Sequence, residues 1–282
     1  MLPWHFMLLV AVFAGVIFPT SAAANAPMGA EAQTSSYDAL ILSHNPAMYL
    51  AMSSPGSGRE SDLTGRGHLG TYHPAGSPPP TSVLPNGDPV ADFNGTTQYL
   101  QVPDANDLSV TSRGRLTIEA WIRPDTLQFP SQEGSGYVHL LGKGEANQHE
   151  YVARMYSKTN QENRPNRISG YAFNLQGGLG SGSYFQDPVT AGGWLLVDIV
   201  INTFNTSPTY PTGYVKIFKN GVLRDTTRLD QFEVVPGNGT APFRVGTRDR
   251  ASFFKGPIGK VAIYLHELTP QRISSHYRAM VG

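Results

Sequence analysis

The chain contains no cysteine, which excludes a disulfide framework, a thiolate zinc site, an iron–sulfur cluster and a thiol nucleophile. It is also poor in charge. Only 15% of its residues are Asp, Glu, Lys or Arg, and 21 basic against 21 acidic residues leave a formal net charge of zero. With no basic excess, nothing supplies the electrostatic footprint needed to follow a phosphate backbone, so nucleic acid is not an expected partner. Long apolar runs are missing as well: the uncharged stretch 7–18 falls short of the roughly 20 residues that cross a bilayer, and no later segment comes near that length. What the chain has in quantity is glycine, 30 residues, and proline, 22. Many turns with little charge suit an all-β protein of short strands better than a helical bundle.

Residues 1–24 read as a signal peptide. The apolar core at 7–18 is broken by Pro19-Thr20-Ser21, and Ala22-Ala23-Ala24 fits the small-residue cleavage pattern, leaving Asn25 as the new N-terminus. The segment departs from the usual pattern in having no Lys or Arg before its core. Export without disulfides points to a secreted, extracellular, bacterial protein with no membrane span in its mature chain. Residues 25–36, small and polar, form a flexible leader. Residues 37–282 hold no linker long enough to divide them and are expected to be one domain.

Strand patterns recur along that domain. Val90-Ala91-Asp92-Phe93, the turn Asn94-Gly95 and residues 98–102 read as a hairpin. Leu116, Ile118, Ala120 and Ile122 alternate with Thr117, Glu119, Trp121 and Arg123, so one set faces the core and the other faces away. Residues 137–141, 151–156, 168–174 and 182–186 are further candidates. The nearly continuous apolar run 194–202 suits a strand covered on both faces, and Asn220-Gly221 between 214–218 and 222–226 marks a second hairpin. Residues 243–246 and 258–264 follow. Gly177-Gly178-Leu179-Gly180-Ser181-Gly182 reads as a flexible inter-strand loop, since it lacks the Lys and helix of a phosphate loop. Only the C-terminus patterns as a helix, with Thr269 as cap, Pro270 first, and Ile273 and Tyr277 one turn apart. The expected fold is all-β: a two-sheet antiparallel jelly-roll sandwich with a short C-terminal helix.

Several blocks, in this order, resemble the laminin-G-like jelly-roll domain of the concanavalin A-like lectin/glucanase superfamily. They include Ala47-Met48-Tyr49-Leu50, Asp62-Leu63-Thr64-Gly65, and Asp92-Phe93-Asn94-Gly95 through Tyr99-Leu100-Gln101-Val102-Pro103. Leu116-Thr117-Ile118-Glu119-Ala120-Trp121-Ile122 follows, then Gly142-Lys143-Gly144, Lys219-Asn220-Gly221, and Phe254-Lys255-Gly256-Pro257-Ile258-Gly259-Lys260-Val261-Ala262-Ile263-Tyr264. The resemblance implies a module of the lectin, adhesion or enzyme-accessory kind. Many relatives hold a structural calcium. Here Tyr49-Leu50-Ala51-Met52 is followed by Ser53-Ser54 where an acidic pair is common, and Gly259 stands where an acid often follows the isoleucine, which leaves Asp62 and Asp92 as the donors in prospect.

No complete catalytic set is visible. Glycoside hydrolysis needs two carboxylates about 5–9 Å apart, and no Glu-x-Asp-x-Glu run supplies them from one strand. Gln148-His149 with Tyr151 is a faint echo of the superfamily's lyases, without their Arg- and Glu-bearing strand. The histidines lack the one-turn pairing of a zincin site. Binding is better provided for, because aromatic faces stack on the apolar side of a sugar ring while planar polar groups fix its hydroxyls. The middle of the chain carries both types, from Tyr151, Arg154 and Tyr156 through Arg164 and Tyr171 to Tyr184. Arg154, Asn174, Tyr184, Gln186 and Asp187 are the first candidates for a ligand surface, with Glu119 and Trp121 on the outward side of their strand and Arg248 in a late polar loop. The expectation is a secreted, non-catalytic module binding a glycan or cell-surface polysaccharide. The alternatives are a polysaccharide hydrolase or lyase of the same superfamily, or an adhesion module for a cell-surface protein.

Overall fold

The alternation at residues 116–122 becomes a strand whose two sides are both covered. Leu116, Ile118, Ala120 and Ile122 join the main core, and Trp121 joins a second apolar cluster on the other side. The computed structural model describes Met1 and residues 35–282; the expected signal peptide apart from Met1, and all but the last two residues of the expected leader, lie outside the described residues.

In chain order the strands are β1 (Met48–Leu50), β2 (Arg59–Glu60), β3 (Gly70–His73), β4 (Thr81–Val83), β5 (Pro89–Asn94), β6 (Tyr99–Val102), β7 (Arg115–Ile122) and β8 (Tyr137–Lys143). Then come β9 (Tyr151–Tyr156), β10 (Ile168–Asn174), β11 (Gly177–Tyr184), β12 (Leu195–Asn202), β13 (Tyr214–Lys219), β14 (Val222–Arg228), β15 (Phe243–Val245) and β16 (Lys255–Tyr264). Two helices frame them, α1 (Ser36–Ser43) and α2 (Pro270–Val281).

The first sheet runs β14-β13-β12-β7-β16-β5-β4, with β1 also paired to β16; the second runs β11-β10-β9-β8-β15-β6-β3-β2. Every pairing is antiparallel. Between the sheets lies the main core, which includes Phe93, Leu100, Ile118, Tyr151, Met155, Ile199 and Val245. This is the jelly-roll sandwich that the sequence predicts. β12 is buried along its whole length, as its apolar run requires: Val197 and Ile199 enter the main core, Leu196 and Val200 the second cluster. Asn220 and Gly221 both take positive φ, 54° and 83°, which closes the β13–β14 hairpin. Among the described residues, no helix is long and apolar enough to cross a membrane.

Three local expectations need correction. Residues 90–102 do not form a hairpin, because β5 pairs with β16 and β4 in the first sheet while β6 pairs with β3 and β15 in the second. The Asn94-Gly95 turn carries the chain across the edge of the sandwich. Asn94 Oδ1 accepts from the backbone N–H of Thr96, Thr97 and Gln98, and Gln98 Nε2 donates to the carbonyls of Ser77 and Pro78, so side chains replace the missing ladder bonds. The glycine-rich segment at 177–182 is not a loop but most of β11, paired antiparallel with β10 through a register shift between Ala172 and Asn174. And α1 is a second helix, opened by a capping box in which Asp38 N–H donates to Ser35 Oγ and Ser35 N–H to Asp38 Oδ2.

α1 and α2 pack on the outer face of the first sheet, and that roof overturns the placement of Glu119 and Trp121 on a ligand surface. Both do point away from the main core, but both are fully buried. The Trp121 indole stacks on Tyr277 of α2, centroids 5.8 Å apart, and its Nε1–H donates to Tyr37 of α1 at 2.9 Å. Glu119 accepts from Tyr37 Oη at 3.2 Å and from His276 Nδ1 at 2.6 Å. With His276 Nδ1 protonated, its Nε2 accepts from His44 at 2.7 Å. Burial pushes Glu119 up to about 7. Asp198, its cross-strand neighbour, goes well above the usual carboxylate range through burial and the adjacent Glu119, and no donor faces either of its oxygens. Burial pulls His276 down to about 4. The alternation rule identifies which way these side chains point, but not that two helices cover them.

Candidate ligand-binding site

Among the described residues, no α-helix roofs the outer face of the second sheet. Alternation on β9 and β10 sends Ala153, Met155, Ile168 and Ala172 into the main core and leaves Arg154, Tyr156, Tyr171 and Phe173 on the outside. β8 adds Tyr137 and His139, and the neighbouring loops add His149, Arg164, Phe232 and Arg248. β11 turns glycines 180 and 182 to the same side. A side chain at Gly180 or Gly182 would come within 2.5 Å of the Phe173 or Tyr171 ring, so the two aromatic rings lie against bare β11 backbone.

The result is a cleft of about 460 Å³ lined by Tyr137, His139, His149, Arg154, Glu162, Arg164, Tyr171, Phe173, Phe232, Arg248 and residues 177–180. A second depression of about 430 Å³ shares Arg164, Tyr171 and Phe232 with it and extends over Tyr184, Gln186 and Asp225. Leu179, 73% exposed, and Phe232, 41% exposed, give the rim an apolar character.

At the centre, the Arg154 guanidinium lies 4.1 Å from the Tyr171 ring centroid and 4.4 Å from that of Tyr137. Its Nη2 donates to Tyr156 Oη at 2.9 Å, while its buried Nε has no acceptor. Arg164 Nη1 donates to Tyr171 Oη at 2.8 Å and to Tyr156 Oη at 3.2 Å, and its guanidinium stacks over Tyr184 at 4.3 Å. Burial pushes the Tyr156 phenol up to about 12, so it stays neutral beside these cations. His149 is drawn below its ordinary value by burial and then by Arg248, and its buried Nδ1 also has no partner.

Arg248 is differently placed: its Nη2 donates to Asp249 at 2.6 Å. Asp249 in turn lies 3.3 Å from His139 Nδ1, whose other ring nitrogen is 2.9 Å from Glu133. Burial alone would raise Asp249, but His139 and Arg248 hold it well below the usual carboxylate range. Glu133, His139 and Asp249 are the only three metal-ligating side chains gathered closely enough to share an ion among the described residues. Asp249 is already matched by a guanidinium there. The two carboxylates expected to serve calcium are not in that group. Asp62 accepts from the backbone N–H of Tyr49, Thr64 and His68 and from the Thr64 hydroxyl, holding a turn, and Asp92 lies 4.0 Å from Arg123.

Of the residues singled out from sequence, Arg154 and Arg248 line the main cleft, and Tyr184 and Gln186 line its extension. Asn174 lies elsewhere: its side chain accepts from Val235 N–H at 2.8 Å and donates to Glu233 O, anchoring a loop. Asp187 also serves structure, accepting from Lys219 at 2.6 Å and Arg224 at 2.5 Å. Tyr151 and Phe185 fill the main core. Tyr137, Phe173 and Phe232 also line the cleft without being among the sequence candidates, and His149, which the sequence offers only as an echo of the lyases, joins them. Tyr137 was detectable, since it alternates with His139 on a strand; the loop residues His149 and Phe232 carry no such periodic signal.

Solved structures of similar fold include domain 4 of an extracellular arabinanase from Geobacillus stearothermophilus in complex with arabinotriose. It is 18% identical, with a TM-score of 0.53, over 82% of this chain and 99% of that one. The botulinum neurotoxin serotype D ligand-binding domain in complex with N-acetylneuraminic acid is 13% identical, with a TM-score of 0.59, over 85% of this chain and 52% of that one. The type C toxin domain, whose cell entry depends on two ganglioside molecules, is 14% identical, with a TM-score of 0.59, over 86% of this chain and 52% of that one. The chain thus spans about half the length of the toxin domains. No curated protein matches it in sequence. A laminin-G-type family model matches residues 94–274, well over half of the chain, and the chain belongs to the concanavalin A-like lectin/glucanases superfamily.

Proposed function

We propose that the protein is a secreted, non-catalytic module that binds a glycan or cell-surface polysaccharide in the cleft over β8–β11. The observation that carries this reading is the grouping of aromatic rings with fixed planar donors along one cleft: the half-buried rings of Tyr137 and Tyr184, with Tyr171 and Phe173 packed in its wall, around Arg154 and Arg164. Sugar rings stack on such faces while guanidinium and amide groups bond their hydroxyls. The sugar ligands named for the arabinanase and neurotoxin domains support the same class of ligand.

A glycan array followed by calorimetry on the full chain tests it. Saturable binding that Tyr171→Ala abolishes, with the far-UV spectrum preserved, supports the proposal. Silence across neutral and acidic glycans defeats it and favours a protein partner. Release of reducing ends or unsaturated products during the same incubations would replace binding by catalysis. Export is read separately, by N-terminal sequencing of protein recovered from a bacterial culture medium; a start at Asn25 is expected.

A further inference from the structure

We infer that the cleft recognises a saccharide bearing a carboxylate, with Arg164 and Arg154 as the groups that receive it. The inference rests on the glycan-binding reading and narrows it to one chemical class.

Three guanidiniums face the cleft against a single lining carboxylate, Glu162. Glu162 is itself engaged, accepting from the Ser135 hydroxyl. Arg248 is matched by Asp249, but neither Arg154 nor Arg164 has a carboxylate within 4.0 Å among the described residues. Their partners are neutral phenols and ring faces. Withdrawing a cation from water without a counter-charge is unfavourable, and the structure does so at Arg154, with the half-buried Arg164 beside it. Arg154 Nε is buried with no acceptor, and Arg164 directs only Nη1 at protein acceptors. An incoming carboxylate would satisfy both the charge and the free donors, and its two oxygens match the fork that a guanidinium presents. Around that point the half-buried Tyr184 ring lines the adjoining depression together with Tyr171, so recognition of the acid and of the ring would occur together. The net charge of the chain is zero; the attraction is local to this face.

Calorimetry on the full chain with matched probe pairs tests the inference: a galacturonate oligomer against its methyl ester, sialyllactose against lactose, and chondroitin sulfate against chondroitin. At least one carboxylate probe should bind more than about tenfold tighter than its uncharged counterpart. Arg164→Gln should remove most of that preference, weakening the acid probe at least about tenfold more than it weakens the uncharged probe. Arg164→Lys, which keeps the charge but not the fork, should fall between. Arg113→Gln serves as a control for diffuse attraction, since it removes one charge from a separate depression lined by Arg66, Arg113, Arg115 and His266; it should change nothing. Equal affinity for acid and uncharged probe overturns the inference and leaves glycan binding intact, as does equal loss in the Arg113 and Arg164 variants. A preference confined to the sulfate pair overturns the carboxylate assignment. Failure of every probe overturns both readings.

Discussion

The two outer faces of this sandwich are built by the same alternation rule and put to opposite uses. On the first sheet the outward side chains of β7 and β12 are Glu119, Trp121, Leu196, Asp198 and Val200, all covered by α1 and α2. On the second sheet the outward side chains of β8–β10 are Tyr137, His139, Arg154, Tyr171 and Phe173, and they line a cleft. On β7 and β12 the charged outward side chains are Glu119 and Asp198; at the centre of the cleft they are Arg154 and Arg164. The roofed face meets its carboxylates from within the chain, through His276, Tyr37 and retained protons. The open face leaves Arg154 and Arg164 without counter-charge. A buried polar group that the protein satisfies belongs to folding, and one that it leaves unsatisfied beside an opening points to a ligand.

The sharpest way to break this contrast is Trp121→Ala. Removing a fully buried indole beneath the roof should cost about 3–5 kcal/mol in urea unfolding, while glycan affinity of the protein that remains folded stays unchanged. A parallel loss of affinity would mean that the two faces are not independent.

Next in size is the pH response of the roofed face. Glu119 is raised from 4.5 to about 7, so its folded state holds the proton more tightly than the unfolded chain. Its contribution is fully present below pH 4.5 and is lost as pH rises toward 7, on the order of 3 kcal/mol. His276, lowered from 6.5 to about 4, acts in the opposite sense, adding stability as pH rises from 4 to 6.5. The two oppose each other between pH 4.5 and 6.5. Above 6.5 the carboxyl pair acts alone, because Asp198 is also raised. Thermal stability should therefore decline from pH 6.5 toward 8, and Glu119→Gln should flatten that decline. An unchanged slope would show that Glu119 is not the titrating group.

Gly182→Ala probes the open face directly. The added methyl runs into the Gly170 carbonyl and the Tyr171 ring, so a loss of about 1–3 kcal/mol is expected, accompanied by weaker glycan binding as the ring is displaced. Stability loss without any change in affinity would remove Tyr171 from the ligand surface. The smallest effect is expected for Asp187→Asn, which breaks a half-exposed surface pairing with Lys219 and Arg224. It should change stability by less than about 1 kcal/mol and leave binding alone. A large affinity loss would return Asp187 to the site.

How much of this was legible beforehand follows from the range of each signal. Period-two alternation found β7, and the continuous apolar run found β12, because burial on one or both faces writes itself into adjacent residues. Thr269 and Pro270 marked α2, whereas the capping box of α1, Ser35 with Asp38, was as short a signal and passed unnoticed. Asn220-Gly221 and Asn94-Gly95 read alike, but one closes a hairpin and the other crosses between sheets. A turn dipeptide specifies a reversal and not the strand that will be paired afterwards. For the site, Arg154 and Tyr184 were found because aromatic and planar polar residues cluster in that part of the chain. Asn174 and Asp187 share that composition but are taken up by Val235 and Lys219, partners about 30 to 60 residues away.

The sequence by itself determined the all-β class, the inward and outward assignment of the long strands, the C-terminal helix and the stretch of chain that supplies the cleft. These depend on residues close along the chain, whose burial follows the geometry of a single strand or helical turn. Only the tertiary structure decided which outward face is covered, that glycines 180 and 182 lie against Phe173 and Tyr171, and which arginines are left without a carboxylate. Those outcomes depend on partners brought together from distant segments, and a counter-charge is a matter of distance in space, which no local pattern records.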